Sequence, residues 1–391
     1  MSMSVAQKTR VARCVESLPP SGIREFFELV VGMDDIVTLG VGEPDFATPW
    51  TICEEAIYWV ERGHTSYTSS WGLLELREEI AAYLQRRFNA SFSPKDEILP
   101  TVGVSQGYDI ILRAILNPGD EVIIHQPCYV SYEPMAILSG GKPVILETRA
   151  EDGFQIRPEE LEKLVTERTR VIVLNYPCNP TGATLRREAL EQILAIAERH
   201  DLIVLSDEVY AELSYDAEHV SFASLPGAKE RCVLMSGFSK AWAMTGWRLG
   251  YLAGPKDLIA AALKIHQYSM LCCSIVAQHA GIEAMRNGDD DVAKMVETYK
   301  QRRRVIVDGF NELGLKCHNP PGAFYAFPSI RDTGLGSREF CTRLLKEEKV
   351  AIVPGTAFGR GGEGYVRAAY AASFDSIEKA LAGIGRMLKR L

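Results

Sequence analysis

RVIVLNYPCNPTGATLRREALEQILAIAERHDLIVLSDEVY, residues 170–210, is the stretch whose pattern decides the fold. Residues 170–175 and 202–206 are short apolar runs rich in Val, Ile and Leu, and residues 188–200 between them carry the amphipathic repeat of a helix. Strand, helix, strand in that order is a βαβ unit. The rhythm extends on the N-terminal side: strand-like runs at 98–102, 121–125 and 143–147 alternate with helical stretches at 108–116, 132–138 and 158–165. Such alternation predicts an α/β fold with a mostly parallel sheet covered by helices. Turn chemistry separates the units, as in Asn117-Pro118-Gly119-Asp120.

Outside this region, residues 73–88 read as an amphipathic helix with Leu73, Leu76, Ile80, Tyr83 and Leu84 on one face. A charged helical stretch over 290–313 reads as a long connector, and its basic cluster at 300–304 as a solvated face rather than a polyanion site. Strands at 322–328 and 350–354 and a final helix at 376–391 follow. The expected division is a large domain over 47–285 and a smaller α+β domain built from 1–46 and 286–391.

Composition narrows the function classes. With 391 residues, 47% hydrophobic and 24% charged, the chain has the apolar content of a folded protein of about two or three domains. Its 43 basic and 51 acidic side chains leave a formal charge of -8, which argues against non-specific nucleic-acid binding. The longest purely apolar runs fall far short of the roughly 18 residues of a membrane helix, and the first residues lack the apolar core of a secretory signal. The nine cysteines are scattered with no C-x-x-C, and the seven histidines show no metal-ligand spacing. Reduced thiols packed in a cytoplasmic protein, and no metal, are the expectation.

In open α/β sheets ligands bind beyond the carboxyl ends of the strands. After residues 98–102 comes Gly103-Val104-Ser105-Gln106, a glycine turn opening a helix and suited to a phosphate. After 171–174 comes Asn175-Tyr176-Pro177-Cys178-Asn179-Pro180-Thr181-Gly182, a loop fixed by two prolines and a glycine that carries polar amides. After 202–205 comes Ser206-Asp207-Glu208-Val209-Tyr210, where Asp207 is a helix cap or a partner for a cation. After 232–235 comes Ser236-Gly237-Phe238-Ser239-Lys240, with Arg248 eight positions on. A lysine among small and aromatic residues just past a strand is a candidate Schiff-base amine, because desolvation frees its neutral form. An amine, an acid, a phosphate turn and an arginine at successive strand ends match the needs of pyridoxal phosphate.

With those motifs in order, the sequence resembles the class I/II aminotransferases of the fold-type-I pyridoxal-phosphate enzymes (EC 2.6.1.-). The resemblance runs from Leu39-Gly40-Val41-Gly42-Glu43-Pro44-Asp45-Phe46 through Asn179-Pro180-Thr181-Gly182 and Lys240 to Gly364-Tyr365-Val366-Arg367. It implies that Lys240 joins the cofactor's aldehyde and moves the Cα proton, that Asp207 pairs with the pyridine nitrogen, and that Tyr210 and Asn179 bond the ring oxygen. Tyr129 is then the residue stacked on the ring. Val104, Ser105, Arg248 and one or both of Ser236 and Ser239 hold the phosphate, with Tyr67 reaching it from the other subunit of a homodimer. Arg367 takes the substrate's α-carboxylate with Gly42 and Asn179. Ile23 and Ser21 belong to a segment that closes over substrate, with Phe324 and Tyr325 nearby.

Within the family the chain resembles the I-gamma subgroup, nearest to aromatic and N-acetyl-LL-diaminopimelate aminotransferases, through residues 39–49, 264–268 and 322–328. Dicarboxylate-specific relatives place an arginine near the position of Cys272-Cys273-Ser274, or a lysine where this chain has Ser105. Both departures count against aspartate. The expected reaction therefore moves an amino group between an amino acid and a 2-oxo acid, with glutamate and 2-oxoglutarate as one pair. Aspartate transamination and β-elimination at a C–S bond are the alternatives. A regulator with an aminotransferase-like domain is disfavoured, since the stretch before Leu39 is too short for a DNA-binding module.

Overall fold

The computed structural model describes residues 10–20, 22–23, 33 and 35–391. In chain order its elements begin with α1 (Arg13–Glu16), β1 (Val37–Thr38), α2 (Trp50–Glu61) and α3 (Leu74–Phe88). The α/β run comprises β2 (Ile98–Thr101), α4 (Gly103–Ile115), β3 (Glu121–Gln126), α5 (Tyr132–Leu138), β4 (Lys142–Glu147), α6 (Pro158–Lys163), β5 (Thr169–Asn175), α7 (Arg187–Arg199), β6 (Ile203–Asp207), β7 (Cys232–Gly237) and β8 (Gly250–Ala253). There follow α8 (Lys256–Ser269), α9 (Ile275–Asn287), α10 (Asp289–Glu312), β9 (Tyr325–Ala326), α11 (Ser337–Glu348), β10 (Val350–Ala351), β11 (Val353–Pro354), β12 (Val366–Ala369) and α12 (Phe374–Leu388).

Seven strands form one sheet in the order β2-β8-β7-β6-β5-β3-β4. Neighbours from β7 to β4 pair in parallel, while β8 is antiparallel to both β7 and β2. Because side chains alternate across a strand, each strand feeds two cores. Ile123, Ile172, Leu174, Val204 and Leu234 enter one apolar cluster, and Val122, Val171, Val173, Leu205 and Val233 enter the other. Helix α7 buries Leu190, Ile193, Leu194 and Ala197, the spacing of a single helical face. A third apolar cluster, with Phe324, Ile352, Val366, Ile377 and Ile384, surrounds the short pairings β1-β10 and β11-β12-β9.

Three features differ from the sequence expectation. Helix α4 opens at Gly103, as the glycine turn predicts, but ahead of the helical stretch expected at 108–116. Strand β8 departs from expectation because Gly250-Tyr251-Leu252-Ala253 begins with a glycine and holds no β-branched residue. The cluster at 300–304 is not one solvated face. Arg304 is exposed, but Arg302 and Arg303 are largely buried and bonded to Asp45 and Asp216. The cause is periodic: Arg302 falls on the seam of Val292, Met295, Tyr299 and Ile306 that α10 turns inward.

The Asn179-Pro180-Thr181-Gly182 loop meets the second half of the chain at close range. The Gly322 N–H donates to the Gly182 carbonyl at 2.9 Å. Gly182 has φ +68°, and a Cβ there would stand 2.4 Å from Pro320 Cβ and 2.7 Å from the Gly322 oxygen. Gly182→Ala should therefore lower stability by roughly 2–4 kcal/mol, seen as a lower calorimetric unfolding midpoint.

Candidate active site

The carboxyl ends of β3, β5, β6 and β7 open on a cavity of about 640 Å³. Strand alternation selects what faces it. Asp207 shares the side of β6 that carries Leu205, where Tyr108 and Tyr132 also pack. Asp207 is 5% exposed. Its Oδ2 accepts the Tyr132 hydroxyl at 2.6 Å, and its Oδ1 accepts the Val209 N–H at 3.2 Å. Burial pushes its carboxyl up to about 6, although both hydrogen bonds pull the other way. A carboxylate in this position gains from a cationic partner on the cavity side.

Lys240 extends into the same space. Its Nζ donates to the Gly42 carbonyl at 2.6 Å and lies 5.7 Å and 5.8 Å from the Tyr210 and Phe324 ring centres. Burial lowers its pKa to about 8, with Arg367 and Arg248 adding to the fall and Glu43 and Asp207 opposing it. A neutral amine is thus within reach near physiological pH.

Arg367, on β12, is 2% exposed. Its Nη1 donates to Asn179 Oδ1 at 3.0 Å and its Nη2 to the Gly40 carbonyl at 2.5 Å. The guanidinium lies 4.6 Å and 4.8 Å from the Tyr325 and Phe358 ring centres. Its Nε is buried without a partner, and among the described residues no carboxylate stands within ion-pair distance. Burial lowers its pKa. A desolvated guanidinium in this state is a receptor for a carboxylate. Asn179 is itself held: its N–H donates to Asn175 Oδ1 at 3.1 Å, and the Asn175 N–H donates to His125 Nε2 at 3.3 Å. Burial drives His125 down to about 3, so the imidazole is the neutral acceptor this bond requires.

The first turn of α4 presents its unpaired N–H groups beside Arg248. Gly103 has φ +75°, and a Cβ on it would lie 2.8 Å from Arg248 Nη2. Arg248 is fixed by an Nη1 bond to the Thr245 carbonyl at 3.0 Å. Val104, Ser105, Ser239 and Arg248 all line the cavity.

Ile23, Gly42, Tyr129, Asn179, Asp207, Tyr210, Lys240, Tyr325 and Arg367 line it as well. Tyr210 and Tyr325 share a hydroxyl–hydroxyl bond of 2.7 Å. Ser236 corrects the sequence reading. Its position on β7 puts it on the Leu234 side, and its hydroxyl donates to the Glu208 carbonyl at 3.4 Å, away from the cavity. Tyr67 is 83% exposed and does not line the cavity of its own chain. Ser21 lies outside the described residues. Sequence reasoning missed Tyr132, Asn175 and Thr245. Tyr132 opens a predicted helix, and nothing in its neighbourhood in the chain marks its hydroxyl for Asp207.

The family model for aminotransferase class I and II matches residues 34–384. The chain belongs to that family. An aspartate aminotransferase of Pyrococcus abyssi is 45% identical over 95% of this chain and 96% of its own. Aromatic-amino-acid aminotransferase 2 of Thermococcus litoralis is 43% identical over 96% of this chain and 97% of its own. Among solved structures, Thermus thermophilus aspartate aminotransferase with maleate superposes with a TM-score of 0.92 at 38% identity, covering 97% of this chain and 100% of that one. The protein is therefore a pyridoxal-phosphate-dependent aminotransferase of fold type I, an enzyme of class EC 2.6.1.-. The site fits that cofactor: a buried carboxylate held by two hydrogen bonds, a lysine biased toward its neutral amine and a helix start beside an arginine converge on one cavity.

Tyr132→Phe removes a hydrogen bond to a charged group, worth roughly 1.5–3 kcal/mol or about one to two pKa units. Infrared titration of the apoprotein should find the Asp207 carboxyl moved further up from about 6.

Proposed function

We propose that this aminotransferase moves an amino group between an L-amino acid and a 2-oxo acid, with glutamate and 2-oxoglutarate as one pair. An aromatic or N-acetyl-LL-diaminopimelate-type amino acid is the other donor. The observation that carries the reading is Arg367: a buried guanidinium with no counter-ion among the described residues, opening on the cavity that holds Lys240 and Asp207. A free α-carboxylate supplies the missing charge.

Bound pyridoxal phosphate supplies an aldehyde that takes up the amino group and a ring that accepts the electrons left when the Cα proton departs. Lys240, in its neutral form, is the amine for that aldehyde and carries the proton to and from Cα. Asp207 would keep the ring nitrogen protonated, Tyr210 and Asn179 would hold the ring oxygen, and Tyr129 would cover the ring. Val104, Ser105, Ser239 and Arg248 would hold the phosphate, with Tyr67 of the partner subunit reaching it. Gly42 and Asn179 complete the carboxylate site, and Ile23 and Tyr325 close against substrate to exclude water.

The cavity lining supports an apolar donor. Ile23, Val41, Val130 and Met135 line it, and among the described residues its cations are Lys240, Arg248 and Arg367, each already assigned. Aspartate is the second reading, favoured by the relative of that name at 45% identity. A homodimer is supported by large apolar residues left on the surface, Trp50 at 68%, Tyr67 at 83% and Tyr268 at 95% exposure. The separate sheets support a large domain over 47–285 and a small one over 1–46 and 286–391. No helix among the described residues is long and apolar enough to cross a membrane, and a cytoplasmic enzyme is the reading we adopt.

Single amino acids mixed with the holoenzyme should bleach its visible absorbance, fastest for aromatic donors. Equal rates with aspartate would overturn the donor preference, and no bleaching with any amino acid would overturn transamination. Arg367→Ala should lower kcat/KM by about 30- to 1,000-fold, because truncating one side of a buried charge pair costs roughly 2–4 kcal/mol. The rate at which apoprotein captures pyridoxal phosphate should rise with pH through about 8, as Lys240 loses its proton.

A further inference from the structure

The segment Gly40-Val41-Gly42-Glu43-Pro44-Asp45-Phe46 carries no regular structure, yet it delivers two of the site's contacts through its backbone. The Gly40 carbonyl accepts Arg367 Nη2, and the Gly42 carbonyl accepts Lys240 Nζ at 2.6 Å. At its start the chain is tied to both neighbours. The Leu39 N–H donates to the Ala351 carbonyl at 2.8 Å, and the Leu39 carbonyl accepts the Ala369 N–H at 2.7 Å. Its other end has no strand to hold it.

There Asp45 Oδ1 accepts Arg302 Nη1 at 2.7 Å. The Arg302 side chain is 9% exposed, and its guanidinium sits 5.3 Å, 5.9 Å and 5.8 Å from the ring centres of Phe46, Tyr299 and Phe374. Phe46 also meets Tyr299 edge-on at 5.5 Å. A guanidinium enclosed by three rings and offered one carboxylate holds that carboxylate more firmly than an exposed pair would. Arg302 lies on the inward seam of α10 and does not line the cavity. Its reach toward the site runs through the 40–46 segment, at Asp45 and Phe46.

The geometry points to Arg302 as a positioning residue. By latching Asp45 and Phe46 against α10, it fixes the far end of the 40–46 segment and so aims the Gly40 and Gly42 carbonyls at Arg367 and Lys240. The inference rests on the roles proposed above for those two residues.

The test uses Asp45→Asn, Arg302→Gln and the double variant, with Asp45→Glu as the conservative control. The Gly42 carbonyl accepts from the ammonium form of Lys240 and favours it. Losing that alignment should lower the pH at which apoprotein capture of pyridoxal phosphate is half-maximal by about half a unit or more. The other groups facing Lys240, namely Glu43, Asp207, Arg248, Arg367 and Tyr210, are unchanged in these variants. Asp45→Glu should restore most of the shift, and the double variant should be no worse than either single one. KM for the amino acid should rise about tenfold with kcat changed far less, as expected when carboxylate binding is weakened.

Variants that keep the parent's unfolding midpoint and oligomeric state but leave the capture midpoint unmoved overturn the proposal. So does a loss of stability alone, since a merely structural ion pair produces that. If Arg302→Gln fails to fold, Asp45→Asn, which keeps the ring cage intact, decides the matter. A shifted capture midpoint with KM unmoved upholds the latch and instead refutes the carboxylate role of Arg367.

Discussion

A strand in a parallel sheet cannot return directly to its neighbour, so a crossover connection carries the chain back and the parallel strands all end at the same edge. The rest of this molecule depends on that constraint. It brings Gln126, Asn175, Asp207 and Gly237, separated widely in sequence, to one rim of the sheet. It also requires both faces to be covered, which is why the strands feed two apolar clusters and why the loops at the rim start from buried ground. Residues placed there are desolvated before any ligand arrives.

Desolvation then sets the chemistry. On a chain of formal charge -8, the cavity gathers Lys240, Arg248 and Arg367 against the carboxylates Glu43 and Asp207. Burial moves Lys240 and Asp207 toward their neutral forms, to about 8 and about 6. Arg367 has no neutral form within reach and remains a charge in need of a partner. The folded chain thus carries desolvation cost at Asp207, Lys240 and Arg367, which groups of opposite charge would relieve. Neighbouring hydrogen bonds keep the geometry from relaxing: Tyr132 on Asp207, and the relay from His125 through Asn175 and Asn179 to Arg367.

The site is also where the two halves of the chain meet. Arg367 comes from β12 and Tyr325 from β9, whereas Lys240 and Asp207 come from the ends of the large sheet. The 40–46 segment runs between them, and the Gly182 loop packs on Pro320 and Gly322. Main chains approach closely at Gly182 and Gly322, where a Cβ would meet the carbonyls of Gly322 and Leu213, and a Cβ on Gly42 would collide with the Tyr325 hydroxyl.

Apolar periodicity, a local property that survives in any tertiary context, marked strands β2 to β7 and their crossover helices along the chain but not β8. The sequence by itself also determined the residue types at the strand ends, since Asp207, Asn179 and Lys240 follow directly from where each apolar run stops. Only the tertiary structure decided which of those residues face the cavity. Ser236 and Ser239 are equivalent on paper, but strand alternation turns one toward Glu208 and leaves the other at the cavity. The same holds for the arginines at 302–304, read as one solvated patch: helical rotation sends Arg302 into a ring cage and leaves Arg304 in solvent. Tyr132 and Asp207 are 75 residues apart, so their bond is a product of packing. Burial and long-range pairing are sums over the whole fold, and no local stretch of chain contains them.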